Sequence, residues 1–190
     1  MKSMKVYFSA SRVFKGELHE NYSQILVALK KSGCKIFENT VDHKSKSTLD
    51  MTDEEKIDNY KQIIAWIDKS DLCVMEASFP STLHIGHEIT ISIEKNKPTI
   101  VLYEKGKAPA QFMGLKNDRL IWVEYELGKV GVALDKAIEE TRSLMDVRFN
   151  FFVSPKILNY LDWVAQKRMI PRSVFLRGLI EKEMKKDKFM

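Results

Sequence analysis

Apolar positions along the first 146 residues follow two alternating rhythms. Short apolar runs of strand length occur at Val6-Tyr7-Phe8, Cys34–Phe37, Leu72–Met75, Thr99–Tyr103 and Leu120–Val123. Between them, apolar residues recur every three or four positions. Tyr22, Ile25, Leu26 and Leu29 mark a helix over 18–31 that Gly33 stops. Ile57, Tyr60, Ile64 and Ile67 mark a second, opened by Thr52 as N-cap with Glu55 completing a capping box. Ile85, Ile89 and Ile93 mark a third over 85–95, and 134–144 reads as a closing helix. Strands alternating with helices predict an α/β fold, a doubly wound, parallel, five-stranded sheet of flavodoxin or Rossmann type.

The pattern changes after residue 146. Residues 147–153 alternate, with Phe149, Phe151 and Val153 on one face. Ser154 caps and Pro155 opens a helix carrying Ile157, Leu158, Leu161, Val164 and Ala165. After a turn at Met169-Ile170, a second helix begins at Pro171-Arg172-Ser173, with Phe175, Leu176, Leu179, Ile180 and Met184 expected inward. One strand and two short helices cannot bury this much apolar surface alone. The strand also has two bare edges, and pairing with a second copy answers both problems. Two domains are therefore expected, 1–146 and 147–190.

Charge sharpens that division. Residues 147–190 hold ten Lys and Arg against four Asp and Glu, a net +6, while the first 146 hold 21 against 22, a net −1, so all the basic excess lies in the tail. Such asymmetry points to a module with a polyanionic partner. No apolar run approaches a membrane span, and MKSMKVYFSAS turns polar too early for a secretory signal, so a cytoplasmic protein is expected. The two cysteines, Cys34 and Cys73, fall in predicted strands and are expected to be buried free thiols.

The chemistry concentrates in Ser70–Glu88, a predicted strand, a loop bearing Ser78, Ser81 and Thr82, and a helix start. In open α/β sheets ligands bind at the carboxyl ends of strands. Glu88 is expected in the first turn or so of its helix, kept ionised by the helix dipole. The Ser9-Ala10-Ser11-Arg12 loop after the first strand adds hydroxyls and a cation. The polar stretch 39–51, with His43, Lys44 and Lys46, reads as a solvated loop or a lid. His84, His87 and Glu88 match no standard zinc spacing, so no metal is expected.

Three pieces in register resemble the nucleoside 2-deoxyribosyltransferase family and its 2′-deoxynucleoside 5′-phosphate N-hydrolase branch. They are Val6-Tyr7-Phe8-Ser9-Ala10-Ser11, Ser70-Asp71-Leu72-Cys73-Val74-Met75-Glu76, and Pro80-Ser81-Thr82 leading to Gly86-His87-Glu88. The resemblance implies attack of a glutamate on the sugar's anomeric carbon, with no cofactor. It implies Glu88 as nucleophile and Tyr7 as its orienting group. Ser9, Ser11, Arg12, Thr82 and Gly86 would bind a nucleoside or nucleotide, Ser11 and Thr82 at the 5′-phosphate. The hydroxyls of Ser11 and Thr82 are equally suited to capping the helices that follow them. One departure stands out. The family's aspartate, eight residues before the third strand's leading Asp71, is Ile63 here, and Tyr60 lies one turn earlier.

The tail resembles the ribbon-helix-helix fold of the Arc and MetJ repressors, whose paired strands enter the DNA major groove. That resemblance implies a homodimer or higher homo-oligomer through 147–190, with Arg148, Asn150 and Phe152 facing bases. Arg172 and Ser173 would lie near a phosphate. Two readings stay open. One is an N-glycosidase dimerised by its tail, and the other a nucleotide-sensing regulator that binds double-stranded DNA. Neither involves a membrane.

Overall fold

The computed structural model describes residues 3–38, 40, 50–144 and 151–187. The chain divides into two compact units, Met1–Val147 and Arg148–Met190.

The first unit is an α/β fold around five parallel strands: β1 Lys5–Ser9, β2 Lys35–Phe37, β3 Leu72–Glu76, β4 Thr99–Glu104 and β5 Leu120–Tyr125. Their order is β2-β1-β3-β4-β5, with Tyr7 opposite Phe37 on one side and Cys73 on the other. Successive side chains point to opposite faces, so each strand feeds two cores. Val6, Phe8, Leu72, Val74, Ile100 and Leu102 pack against Tyr22, Ile25 and Leu29 of α1 (Lys15–Lys31) and Leu134 and Ile138 of α4 (Val130–Leu144). Tyr7, Cys73, Met75 and Val101 pack against Ile63 and Ile67 of α2 (Asp53–Lys69) and Ile85 and Ile89 of α3 (Leu83–Glu94). The strand order reverses between β1 and β3, and the crevice at their carboxyl ends is where such sheets hold ligands.

Local signals explain most element ends. Thr52 accepts from the Glu55 amide at 3.2 Å and the Glu55 carboxylate accepts from the Thr52 amide at 2.9 Å, completing the capping box of α2. Gly33 follows α1 with φ 75°, a left-handed conformation that glycine adopts without steric cost. Helix α1 starts earlier than its periodicity predicts, because a turn at Lys15–Glu17 joins it through Leu18, whose backbone is non-helical. The apolar stripe expected on α2 is displaced. Ile63 and Ile67 are buried, whereas Ile57 and Tyr60 are exposed. A helix returning between parallel strands runs opposite to them, so the first half of α2 lies over the open carboxyl end of the sheet. Cys73 is buried in β3, while Cys34 precedes β2 and is partly exposed; both are free thiols.

In the second unit, α5 (Pro155–Arg168) and α6 (Arg172–Lys186) flank a turn in which Met169 takes a left-handed φ of 51°. Ser154 caps α5 as expected, its hydroxyl accepting from the Ile157 amide at 3.4 Å. Only Leu161, Val164 and Phe175 form a buried cluster among the described residues. Ile157, Leu158, Leu179 and Ile180, expected inward, are exposed in the single chain because two helices enclose only one seam between them. Residues 151–153 form no strand here, as a lone extended segment has no ladder to join; the rest of the expected strand lies outside the described residues. No helix among the described residues is long and apolar enough to cross a membrane.

Candidate active site

A cavity of about 200 Å³ opens at the β1/β3 crevice. Three pieces of chain build most of its wall. Ser9 to Val13 leave the end of β1, Lys56, Asn59, Tyr60 and Ile63 descend from α2, and Thr82, His84, Ile85, His87 and Glu88 come from the start of α3. Thr40 closes one side. The α2 residues are spaced i, i+3, i+4 and i+7, a single helical stripe.

Glu88 is the centre of the polar contacts. It lies in the second turn of α3 rather than the first, only 7% exposed. The Tyr7 hydroxyl donates to its Oε2 at 2.9 Å, and Ser9 lies near enough to favour the ionised carboxylate. Burial pushes the Glu88 carboxyl above its ordinary range. Ser9 and Tyr7, then the fields of Arg12 and His84, pull it back down. Among these causes burial is the largest. Tyr7 is driven well above the usual phenol value, first by its own burial and then by the Glu88 charge. It keeps its proton and therefore acts on Glu88 as a donor.

Arg12 reaches across the cavity to α2, where its Nη2 donates to Asn59 Oδ1 at 2.9 Å. Partial burial lowers its pKa, with Tyr7, Glu88 and Glu38 opposing the shift. A guanidinium remains charged nonetheless. Ser11 is buried and its hydroxyl accepts from the Phe14 amide at 3.4 Å, a local turn contact. Thr82 occupies the N-cap position of α3, yet its side chain makes no capping bond. Lys56 is ion-paired to Asp53 at 3.0 Å near the surface.

Most expected site residues therefore meet in one place: Ser9, Ser11, Arg12, Thr82 and Glu88 line the cavity, with Tyr7 behind Glu88. Gly86 does not line it. A Cβ there would come within 2.4 Å of the Phe112 ring, so its bareness makes room for that ring on the far side of α3. Phe112 borders a second cavity of about 470 Å³ whose lining, from Phe79, Ser81, Leu83 and 108–112, has no titratable group. The 39–51 loop, apart from Thr40, Asp50 and Met51, lies outside the described residues. Lys56 and Asn59 went unnoticed in the sequence. Their signal was the helical stripe that ends on Ile63.

Glu76, at the end of β3, is also buried but belongs to the opposite face. It accepts from the Ser78 hydroxyl and from Tyr125 Oη, the latter at 3.0 Å, and Asn21 Nδ2 donates to Tyr125 Oη at 2.8 Å. Burial raises its pKa, and these donors partly offset the shift. The network ties α1, β3 and β5 together without reaching the cavity.

Of the residues expected to meet DNA, Arg148 and Asn150 lie outside the described residues. Phe152 is fully exposed, Ser173 sits in the first turn of α6, and Arg172 is ion-paired to Asp162.

No family model matches the chain, and no curated protein does. Among solved structures it is similar to the CMP N-glycosidase BcmB of Clostridium botulinum, at 15% identity and a TM-score of 0.50. The match covers 70% of this chain and 98% of that one. At this identity the likeness concerns the fold alone, a five-stranded parallel α/β unit.

Proposed function

We propose that the first unit is an N-glycosidase or deoxyribosyltransferase acting on nucleosides or their 5′-monophosphates, with Glu88 as nucleophile. The observation that carries this reading is the buried Tyr7–Glu88 pair, 2.9 Å apart, at the wall of a cavity that also holds Ser9, Ser11, Thr82 and Arg12. A buried carboxylate held by a tyrosine donor is a nucleophile aimed at one point rather than a solvated surface charge. In the first step a Glu88 oxygen bonds to the anomeric carbon while the carbon–nitrogen bond breaks, its electron pair leaving with the base. In the second, water or another base attacks the same carbon and returns the carboxylate. Arg12 with the Ser11 and Thr82 hydroxyls suits a 5′-phosphate. The similar fold of an enzyme named for CMP cleavage supports a monophosphate ligand.

The test is release of free base from a panel of nucleosides, deoxynucleosides and their 5′-monophosphates, with Glu88→Ala as control. Release that survives Glu88→Ala overturns the nucleophile; adding a second base as acceptor separates transfer from hydrolysis.

For the second unit we propose pairing with another copy of the chain. The half-exposed Tyr160, Trp163, Leu179 and Ile180 beside a buried cluster of three residues support it, since a seam this small is rarely stable alone. A regulator that binds DNA gains no support from the described residues.

A further inference from the structure

Breaking a glycosidic bond needs a proton for the departing base as well as a nucleophile, and Ile63 occupies the α2 position where an acid was expected. Several proton-bearing groups line the same cavity, and most are committed elsewhere. Arg12 holds its protons permanently. Lys56 is paired with Asp53 at 3.0 Å. Tyr7 is bonded to Glu88, and His84, four residues before Glu88 on α3, projects its field onto that carboxylate. His87 differs. It lies on the wall toward α2, its ring stacked on Tyr60 at 5.9 Å between centroids and 19° between planes, with Tyr60 Oη 3.4 Å from Nε2. Tyr60 itself is one turn before Ile63 on the cavity stripe of α2. The Tyr60–His87 pair thus stands one turn from Ile63, at the exposed side of the cavity.

We infer that His87, held by Tyr60, is the proton donor to the leaving base, in place of the carboxylic acid that Ile63 cannot supply. The inference rests on the N-glycosidase reading above. With Nε2–H donating to Tyr60 Oη, the transferable proton of the imidazolium is on Nδ1. As the Glu88 oxygen bonds to the anomeric carbon and the carbon–nitrogen pair leaves with the base, that proton goes to a ring nitrogen of the base. The step ends with a neutral imidazole, a neutral ester and a neutral base. When water then attacks the anomeric carbon, its proton returns to Nδ1 as Glu88 departs as carboxylate. Among the described residues, the charged or titratable groups that share the cavity with His87 are Lys56 and Tyr60 on α2, His84 and Glu88 on its own helix, and Arg12 from the β1 loop. Tyr60 is a positioning residue in this scheme and His87 the catalytic one.

The decisive experiment varies the leaving base. Deoxynucleoside 5′-monophosphates of cytosine, uracil, 5-fluorouracil, guanine and N7-methylguanine are compared with the full-length wild type, His87→Gln and His84→Gln. A general acid contributes about 10²–10⁴-fold, so His87→Gln is expected to lower kcat by that factor on poor leaving bases. N7-methylguanine already carries the charge that protonation would supply, and its release is expected to stay near the wild-type rate. Tyr60→Phe is expected to show a weaker version of the same selectivity. An equal loss across the series, or base-dependent loss in His84→Gln instead, overturns the role of His87 while leaving the N-glycosidase reading intact. If the wild type releases none of these bases, the N-glycosidase reading falls and this inference with it.

Discussion

Replacing Tyr7 by Phe removes one oxygen and leaves almost everything else in place. The Tyr7 ring is buried against the sheet and lies 6.3 Å from the Trp66 ring, contacts that Phe retains. What goes is the 2.9 Å bond to Glu88 Oε2. A hydrogen bond to a charged group is worth about 1.5–3 kcal/mol, and each 1.36 kcal/mol of lost transition-state stabilisation is tenfold in rate, so kcat/KM should fall about 10- to 150-fold. The sign of the pH effect follows from the same contact. The Tyr7 bond lowers a carboxyl that burial has raised, so its loss lets the Glu88 pKa climb further. Only the ionised carboxylate attacks, and the acidic limb of the rate profile should therefore move to higher pH. The assay is base release across pH, with thermal melting alongside. The fold should persist, the melting temperature dropping by about 2–4 °C for each kcal/mol lost. Full activity with an unmoved acidic limb would refute the reasoning and make Tyr7 a core residue only.

Three further outcomes are expected. Glu88→Gln abolishes base release yet stabilises the fold: an acid whose folded pKa is raised loses stability as pH climbs from its unfolded value through the folded one. The melting temperature of Glu88→Gln should exceed that of the wild type at neutral pH, with the gap closing on acidification; a gap independent of pH contradicts this. Tyr125→Phe strips donors and acceptors from Glu76 and Asn21 on the opposite face, costing about 1–3 kcal/mol in thermal melting and leaving base release unchanged. Ile180→Lys should halve the mass seen by light scattering on the full chain, whereas a wild type that is monomeric at micromolar concentration disproves pairing through the second unit.

Much of the first unit was legible along the chain because its signals are local. Five apolar runs of strand length, with β1, β3 and β4 buried on both faces, leave little alternative to a parallel sheet. Thr52 with Glu55, Gly33 after Lys31, and Ser154 before Pro155 mark helix ends through contacts only a few residues apart. Glu88 and Thr82 stood out by their place between a strand end and a helix start, whereas Ser9, Ser11 and Arg12 entered through the resemblance of their segment to a known family. The second unit was less legible: its apolar stripes show that two helices form, but not what covers Ile157, Leu179 or Ile180.

Only the tertiary structure decided the remainder, because it depends on residues far apart in sequence. Tyr7 and Glu88, 81 residues apart, meet across the β1/β3 crevice, and this desolvation raises a carboxyl that position on a helix alone would lower. The bareness of Gly86 gives space to the Phe112 ring, 26 residues away. Tyr60, on the helix face of Ile63 by its spacing, lies at the cavity mouth against His87, 27 residues away, a contact no local spacing shows. Periodicity determines which residues share a helix face; the strand order determines what that face meets.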